Sequence, residues 1–326
     1  MFDSLSHPVG RRAVLALGTW ALAGGRALAQ AWPERPIRMI VPFPPGGGAD
    51  NAARVYGEKL ASVLGQPIVV DNKPGASGNI GAEAVAHAAA DGYTLLFGNE
   101  FLATNPALFK SLRFDTMRDF APVARVASSA SLIAATPSLP VQTLKDLIAL
   151  AKTRSLNYAS PGVGTGPHLY GQLIALNTGA QFNHVPYKGT APAISDTVGG
   201  QVDFIISTAA PMVPYVQSGK LRALAVTGAQ RSSDLPGVPT VMETGVVSDP
   251  YEVWYGVVAP AAVPRPVLAR LQQASEQVLR DPDVVARLNK AGYDVRAVSP
   301  EQFGAEIKRD MERWTHVVQQ AKIERQ

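Results

Sequence analysis

The chain has 326 residues, 46% hydrophobic and 17% charged, a globular composition long enough for one large or two medium domains. Its formal net charge is +4, shared evenly between residues 1–29 and the rest, with no run of five like charges, so no nucleic-acid face is expected. Cysteine is absent, which excludes disulfides, thiolate metal sites and a cysteine nucleophile.

Residues 1–29 read as a secretion signal peptide. Arg11-Arg12 precede an apolar stretch at 13–23, and Ala27-Leu28-Ala29 is an A-x-A cleavage pattern. The arginine pair fits an ordinary leader and a twin-arginine leader alike, so the export route stays open. The apolar stretch is too short to span a bilayer. A mature chain from about Gln30 is expected in the periplasm, without stable membrane insertion.

Residues 37–43 form a short apolar run and predict a buried strand. It ends in Phe43-Pro44-Pro45-Gly46-Gly47-Gly48-Ala49-Asp50, followed by a periodic apolar stretch to about Leu64. A strand at 67–70, a loop at 71–79, an alanine-rich helix at 80–90 and a strand at 93–97 follow. Strand and helix alternate, which signals an open parallel α/β sheet. The second half repeats this order: a helix at 143–152, a strand at 156–159, then Ser160-Pro161-Gly162-Val163-Gly164-Thr165-Gly166-Pro167-His168 and a helix to about Leu176. Strands at 182–185, 202–207 and 221–227 come next. The last part is helical, at 264–279, 283–291 and 299–320. Its final helix carries a Ser299/Gln302 capping box and a docking stripe of Phe303, Ile307, Met311, Trp314 and Val318.

Residues 123–137 and 254–260 are extended and apolar, and read as two crossovers between two lobes. Lobe 1 is then 30–130 plus 256–326, and lobe 2 is 131–255. Ligands of open α/β sheets bind beyond the carboxyl ends of strands, where helices begin. Both glycine loops hold that position. A helix N-terminus offers free N–H groups and a positive dipole end, and glycine lets an anion come close. Two such ends in different lobes could grip one carboxylate between them.

The candidate ligand contacts are Phe43, Gly46, Gly47 and Asp50 from the first loop, and Ser160, Val163, Gly164, Thr165 and His168 from the second. Asn79 is a further candidate; Asn99, Glu100, Thr104 and Asn105, after the strand at 93–97, could satisfy ligand oxygens or the loop's own backbone, and Tyr187 with Lys188 could supply a wall and a positive charge. Asp50 has an alternative reading as a cap or partner of Arg54, and His168 as a locally bonded helix-start residue. The second loop lacks the G-x-G-x-x-G spacing, and no G-x-x-x-x-G-K-[ST] loop or G-x-S-x-G elbow occurs. The five histidines lack metal-ligand spacing. No catalytic set assembles, so binding without a metal or cofactor is expected, not catalysis. The rival is a secreted hydrolase using His168 or Ser160.

The mature chain resembles the Bug family, the periplasmic solute-binding proteins of tripartite tricarboxylate transporters. The resemblance is carried, in order, by residues 40–47 with Asp50, 70–75, 91–96, Asn105-Pro106, 119–123, 184–189, 199–203 (which includes Asp203), 221–227 and 236–240. It implies a two-lobed fold like type II periplasmic binding proteins, closing on a small organic acid held by residues 43–50 and 160–168, with Asp203 as a further expected contact. The implied partner is a two-subunit membrane permease, or in some relatives a sensor kinase, with the binding protein a monomer. Glu100 and Phe101 depart from the small residues usual in the family, and Ser207 from an often acidic stretch. A carboxylate facing the cleft at 100 would disfavour a dianionic ligand.

Overall fold

The computed structural model describes residues 32–326. The signal-peptide reading of residues 1–29 lies outside them. Nine strands join one curled mixed sheet, in the order β2-β1-β3-β9-β4-β7-β5-β6 with β8 attached to β4. In the first half, β1 (Ile37–Val41) pairs in parallel with β2 (Ile68–Asn72) and β3 (Thr94–Asn99). In the second, β5 (Leu156–Ser160) pairs in parallel with β6 (Phe182–Pro186) and β7 (Phe204–Thr208). β8 is Arg222–Val226.

The halves are joined by β4 (Phe120–Ala135), a strand of 16 residues. From Phe120 to Ala130 it pairs antiparallel with β9 (Glu252–Pro260). From Ser131 to Ala135 it pairs with β7 and β8 instead. The stretches read as extended crossovers are therefore these two strands, each paired along the other in the sheet. The fold is α/β and two-lobed, as expected.

The helices cover the sheet. α1 (Gly48–Leu64) starts at the first glycine loop and stops at Gly65, whose left-handed backbone (φ 72°) caps it. α2 is Asn79–Ala86, shorter than the alanine pattern suggested. α3 (Phe101–Leu108) was not anticipated, because it contains Pro106 and shows no clear apolar period. Proline lacks the N–H that would bond the Leu102 carbonyl. That carbonyl accepts from the Thr116 hydroxyl instead (2.7 Å), from α4 (Thr116–Asp119), so the buried group stays paired.

α5 (Leu144–Thr153) has a Thr143/Asp146 capping box. α6 (Gly166–Thr178) starts at the second glycine loop, and α7 (Thr190–Val198) and α8 (Val213–Gln217) follow. α9 (Arg265–Leu279), α10 (Pro282–Lys290) and α11 (Pro300–Gln320) complete the chain. α11 has the expected Ser299/Gln302 box and buries Phe303, Ile307, Trp314 and Val318 against β4, α3 and α6. Trp254 of β9 meets Phe303 edge-on, and its indole N–H donates to Asp310 (3.0 Å). Among the described residues, no helix is long and apolar enough to cross a membrane.

Candidate functional site

The two glycine loops are built the same way. In the first, Gly46 takes φ +80°, and its N–H donates to the Asp50 carboxylate four residues on (2.9 Å). In the second, Gly164 takes φ +78°, and its N–H donates to Nδ1 of His168, again four residues on (3.0 Å). In each, a side chain in the first helical turn reaches back and fixes a left-handed glycine. Both glycine amides are thereby occupied, so neither Gly46 nor Gly164 offers its N–H to a ligand.

Asp50 is buried and also accepts from Arg54 Nε (3.0 Å) and Asn72 Nδ2 (2.9 Å). Burial alone would push its carboxyl up, but the bonds from Arg54, Gly46 and Asn72 together pull it down to about 2. Asp50 therefore acts as an ionised brace inside the loop, with no free face toward the ligand. No acceptor among the described residues takes the N–H groups of Gly47, Gly48 or Ala49, which open α1.

His168 is 4% exposed and stacks on His184 at 3.8 Å. Burial, with His184 adding, pushes His168 down to about 3. Burial pushes His184 down to about 4. Both rings are neutral at physiological pH, which lets Nδ1 of His168 accept from Gly164. Ser160 Oγ lies 2.7 Å from Nε2 of His184, not against His168, and Ser160 is fully buried. A hydrolase built on Ser160 or His168 would need an accessible nucleophile, which Ser160 does not provide. No described residue accepts from the N–H of Val163.

Between the loops lies a cavity of about 190 Å³, room for a small organic molecule. Phe43 borders it from the first loop, and Val163, Gly164 and Thr165 from the second. Asn99, Glu100 and Phe101, at the carboxyl end of β3, line it with Thr104 and Asn105 of α3. Ser77 lines it from a turn in which Ala76 and Ser77 both hold left-handed backbone (φ 46° and 55°). Such strain needs support. Asn105 provides it, donating to the Ser77 carbonyl (3.0 Å) and to Asn79 Oδ1 (2.7 Å). Four larger pockets occur among the described residues, two of them shallow surface depressions; the two deeper ones are an apolar one beside Phe120 and Ile307, about 300 Å³, and a polar one beside Ser128 and Arg231, about 320 Å³. Neither is lined by a residue of either glycine loop, so neither brings free loop amides together.

Glu100 links distant segments of the chain at this cavity. Its Oε1 accepts from the N–H of Gly166, the first residue of α6 (3.0 Å), and its Oε2 accepts from the Tyr251 hydroxyl (2.5 Å). Burial pushes the Glu100 carboxyl up to about 7, opposed by Tyr251 and Gly166 and reinforced by Asp310. A Cβ at Gly166 would lie 1.7 Å from the Tyr251 oxygen, so only glycine admits this contact. Part of the α6 N-terminus is thus taken by the protein's own carboxylate.

Nine of the proposed contacts are absent from the cavity lining: Gly46, Gly47, Asp50, Asn79, Ser160, His168, Tyr187, Lys188 and Asp203. The Tyr187 hydroxyl donates to Asp196 (2.8 Å), and Lys188 is exposed. Asp203 lies just before β7, at the end of the strand remote from the loops, where it accepts from the Asn157 N–H (2.7 Å) and from Arg154. That carboxylate ties strand starts together. Thr104, which follows β3, belongs with the polar residues expected at that carboxyl end. Ser77 and Tyr251 are not among the expected contacts, although Ser77 follows the carboxyl end of β2 and is within reach of the same rule. Tyr251 makes its contact 151 residues from Glu100, and no local pattern announces it.

The sequence model of the family described as "Tripartite tricarboxylate transporter family receptor" matches residues 52–323. Protein BugT of Bordetella pertussis is 36% identical over 316 residues, covering 95% of this chain and 97% of BugT. A Rhodopseudomonas palustris protein solved with adipate is 33% identical, with a TM-score of 0.78 over 90% of this chain and 100% of its own. MatC from Rhodopseudomonas palustris, solved with bound malate, is 32% identical, with a TM-score of 0.74 over 88% of this chain and 100% of its own.

Proposed function

The chain belongs to the tripartite tricarboxylate transporter receptor family, and from that membership we propose that it captures a small carboxylate between its lobes for delivery to a two-subunit membrane permease. The observation that carries this reading is one cavity bordered by Phe43 of the first glycine loop and Val163, Gly164 and Thr165 of the second, in loops where Gly47, Gly48, Ala49 and Val163 keep unpartnered N–H groups. One carboxylate oxygen pair would meet Gly47–Ala49 on one side and Val163 on the other, each N–H replacing a water. Adipate and malate, held by two solved relatives, are both small carboxylates.

Lobe 1 would comprise 30–130 plus 256–326 and lobe 2 131–255, hinged on β4 and β9; the change of β4's partners after Ala130 supports that division. The protein would act in the periplasm after loss of residues 1–29, as a monomer.

Thermal unfolding in the presence of mono- and dicarboxylates tests the function. A carboxylate at 100 times its Kd should add about 2.7 kcal/mol of stability. Stabilisation by sugars or cations, with none from any carboxylate, would overturn it.

A further inference from the structure

The charge lining the inter-loop cavity bears on which carboxylate it takes, an inference that rests on the function just proposed. Among the described residues, Glu100 supplies the cavity's one ionisable side chain; no lysine, arginine or histidine lines it. Arg325, which passes nearby, spends its guanidinium on the carbonyls of Phe109 (2.6 Å) and Pro106 (3.3 Å). Glu100 is also held in place, because Gly166 and Tyr251 each donate to one of its oxygens. A carboxylate has about four acceptor sites, so roughly half of its capacity remains. The rest of the wall combines uncharged polar side chains (Ser77, Asn99, Thr104, Asn105, Thr165 and Gln326) with a continuous apolar strip. Phe43 and Phe101 meet edge-to-face at 5.9 Å, and Leu108, Phe109 and Val163 extend the surface.

We propose that the site selects a monocarboxylate with an apolar body and an uncharged far end, and that Glu100 is the residue that rejects a dicarboxylate. The single carboxylate meets the free loop amides, and the body lies along the phenylalanines. Above about pH 7, where Glu100 is ionised, a second carboxylate would enter a small cavity that holds a negative charge and no lining cation. Two like charges about 7 Å apart at a protein surface repel strongly enough to cost ~tenfold or more in affinity. A neutral far end costs nothing, and an amide or hydroxyl there can donate to Glu100. Discrimination by a built-in repulsion is a general route to specificity. The other ionisable groups around Glu100 are Tyr251, Tyr255 and Asp310, none of them a cation.

Isothermal titration of the full mature chain at pH 8, where Glu100 is ionised, tests this with matched pairs of four to eight carbons: monocarboxylate, dicarboxylate and dicarboxylate monoamide. The monocarboxylate and monoamide of the best-fitting length should bind ~tenfold or more tighter than the dicarboxylate. In Glu100→Gln, whose amide oxygen can still accept from Gly166 and whose NH₂ can donate to Tyr251, the gap should close to within about threefold. A dicarboxylate binding as well as its monocarboxylate partner to the unaltered protein would overturn the proposal and leave the carboxylate function standing. An unchanged gap in Glu100→Gln would also overturn it. Binding of no carboxylate at any length would overturn the function and this inference together. The comparison on the unaltered protein decides the matter even if the variant folds poorly.

Discussion

Asp50 is the brace of the first loop, and replacing it by asparagine tests that role. Its carboxylate is 2% exposed, and it accepts from Gly46, Arg54 and Asn72. Holding its carboxyl at about 2 instead of 3.8 corresponds to about 2 kcal/mol of native-state stabilisation. The sign follows from linkage. The folded state holds the proton less tightly than the unfolded one, so this stability is present above about pH 4 and is lost as pH falls through about 2. Arg54 is half-exposed, so its share is screened by salt, whereas the bonds from Gly46 and Asn72 are not. Asparagine keeps one acceptor oxygen but turns an NH₂ toward Arg54 or Asn72. Urea unfolding should show Asp50→Asn about 2 kcal/mol less stable at pH 7, with the gap narrowing by about 1 kcal/mol at pH 3. Carboxylate affinity should fall as well, because the amides of Gly47–Ala49 lose their fixed register. A gap under about 0.5 kcal/mol, or one independent of pH, would refute the brace.

Other substitutions separate close approach from open space. Gly166→Ala puts a Cβ 1.7 Å from the Tyr251 oxygen and should cost about 3 kcal/mol or more by chemical denaturation. Gly47→Ala, with φ −78° and its nearest neighbour 3.6 Å away, should stay within about 0.5 kcal/mol of the unaltered protein. Glu100→Gln should change the pH profile in the opposite sense to Asp50. The Glu100 carboxyl is raised from 4.5 to about 7, so its stabilising protonation is fully present below about 4.5 and is lost as pH rises through about 7. The variant should therefore gain about 3 kcal/mol relative to the unaltered protein between pH 4.5 and 8; parallel profiles would contradict the raised pKa. Thr116→Val should cost about 1–3 kcal/mol, because the Leu102 carbonyl loses its donor, while ligand affinity, measured by titration, stays unchanged.

The loops and the strand–helix order were legible because each depends on neighbours in sequence. Apolar runs end in glycines, and glycines precede periodic stretches, so the carboxyl-end rule pointed at residues 43–50 and 160–168 without knowledge of the tertiary fold. The internal bonds of those loops were legible only in part. Asp50 reads from sequence as a ligand contact, or as a cap or partner of Arg54, and the i+4 spacing it shares with His168 becomes meaningful only with the φ of Gly46 and Gly164. α3 was hidden by Pro106, whose cost is offset by a hydroxyl from another helix. The bridge of Glu100, Gly166 and Tyr251 was beyond reach, since its members come from three distant segments. Asp203 shows the reverse failure: an acidic residue beside a strand was given to the ligand, yet it serves the opposite end of the sheet.

The central claim is that one carboxylate contacts main-chain amides from both lobes at once. Amide chemical shifts of the ¹⁵N-labelled protein, followed while the tightest-binding carboxylate is added, test it most directly. The account predicts that Gly47, Gly48, Ala49 and Val163 shift most, in step and with one saturation curve. Shifts confined to one loop, or centred on the cavity beside Ser128 and Arg231, would contradict it.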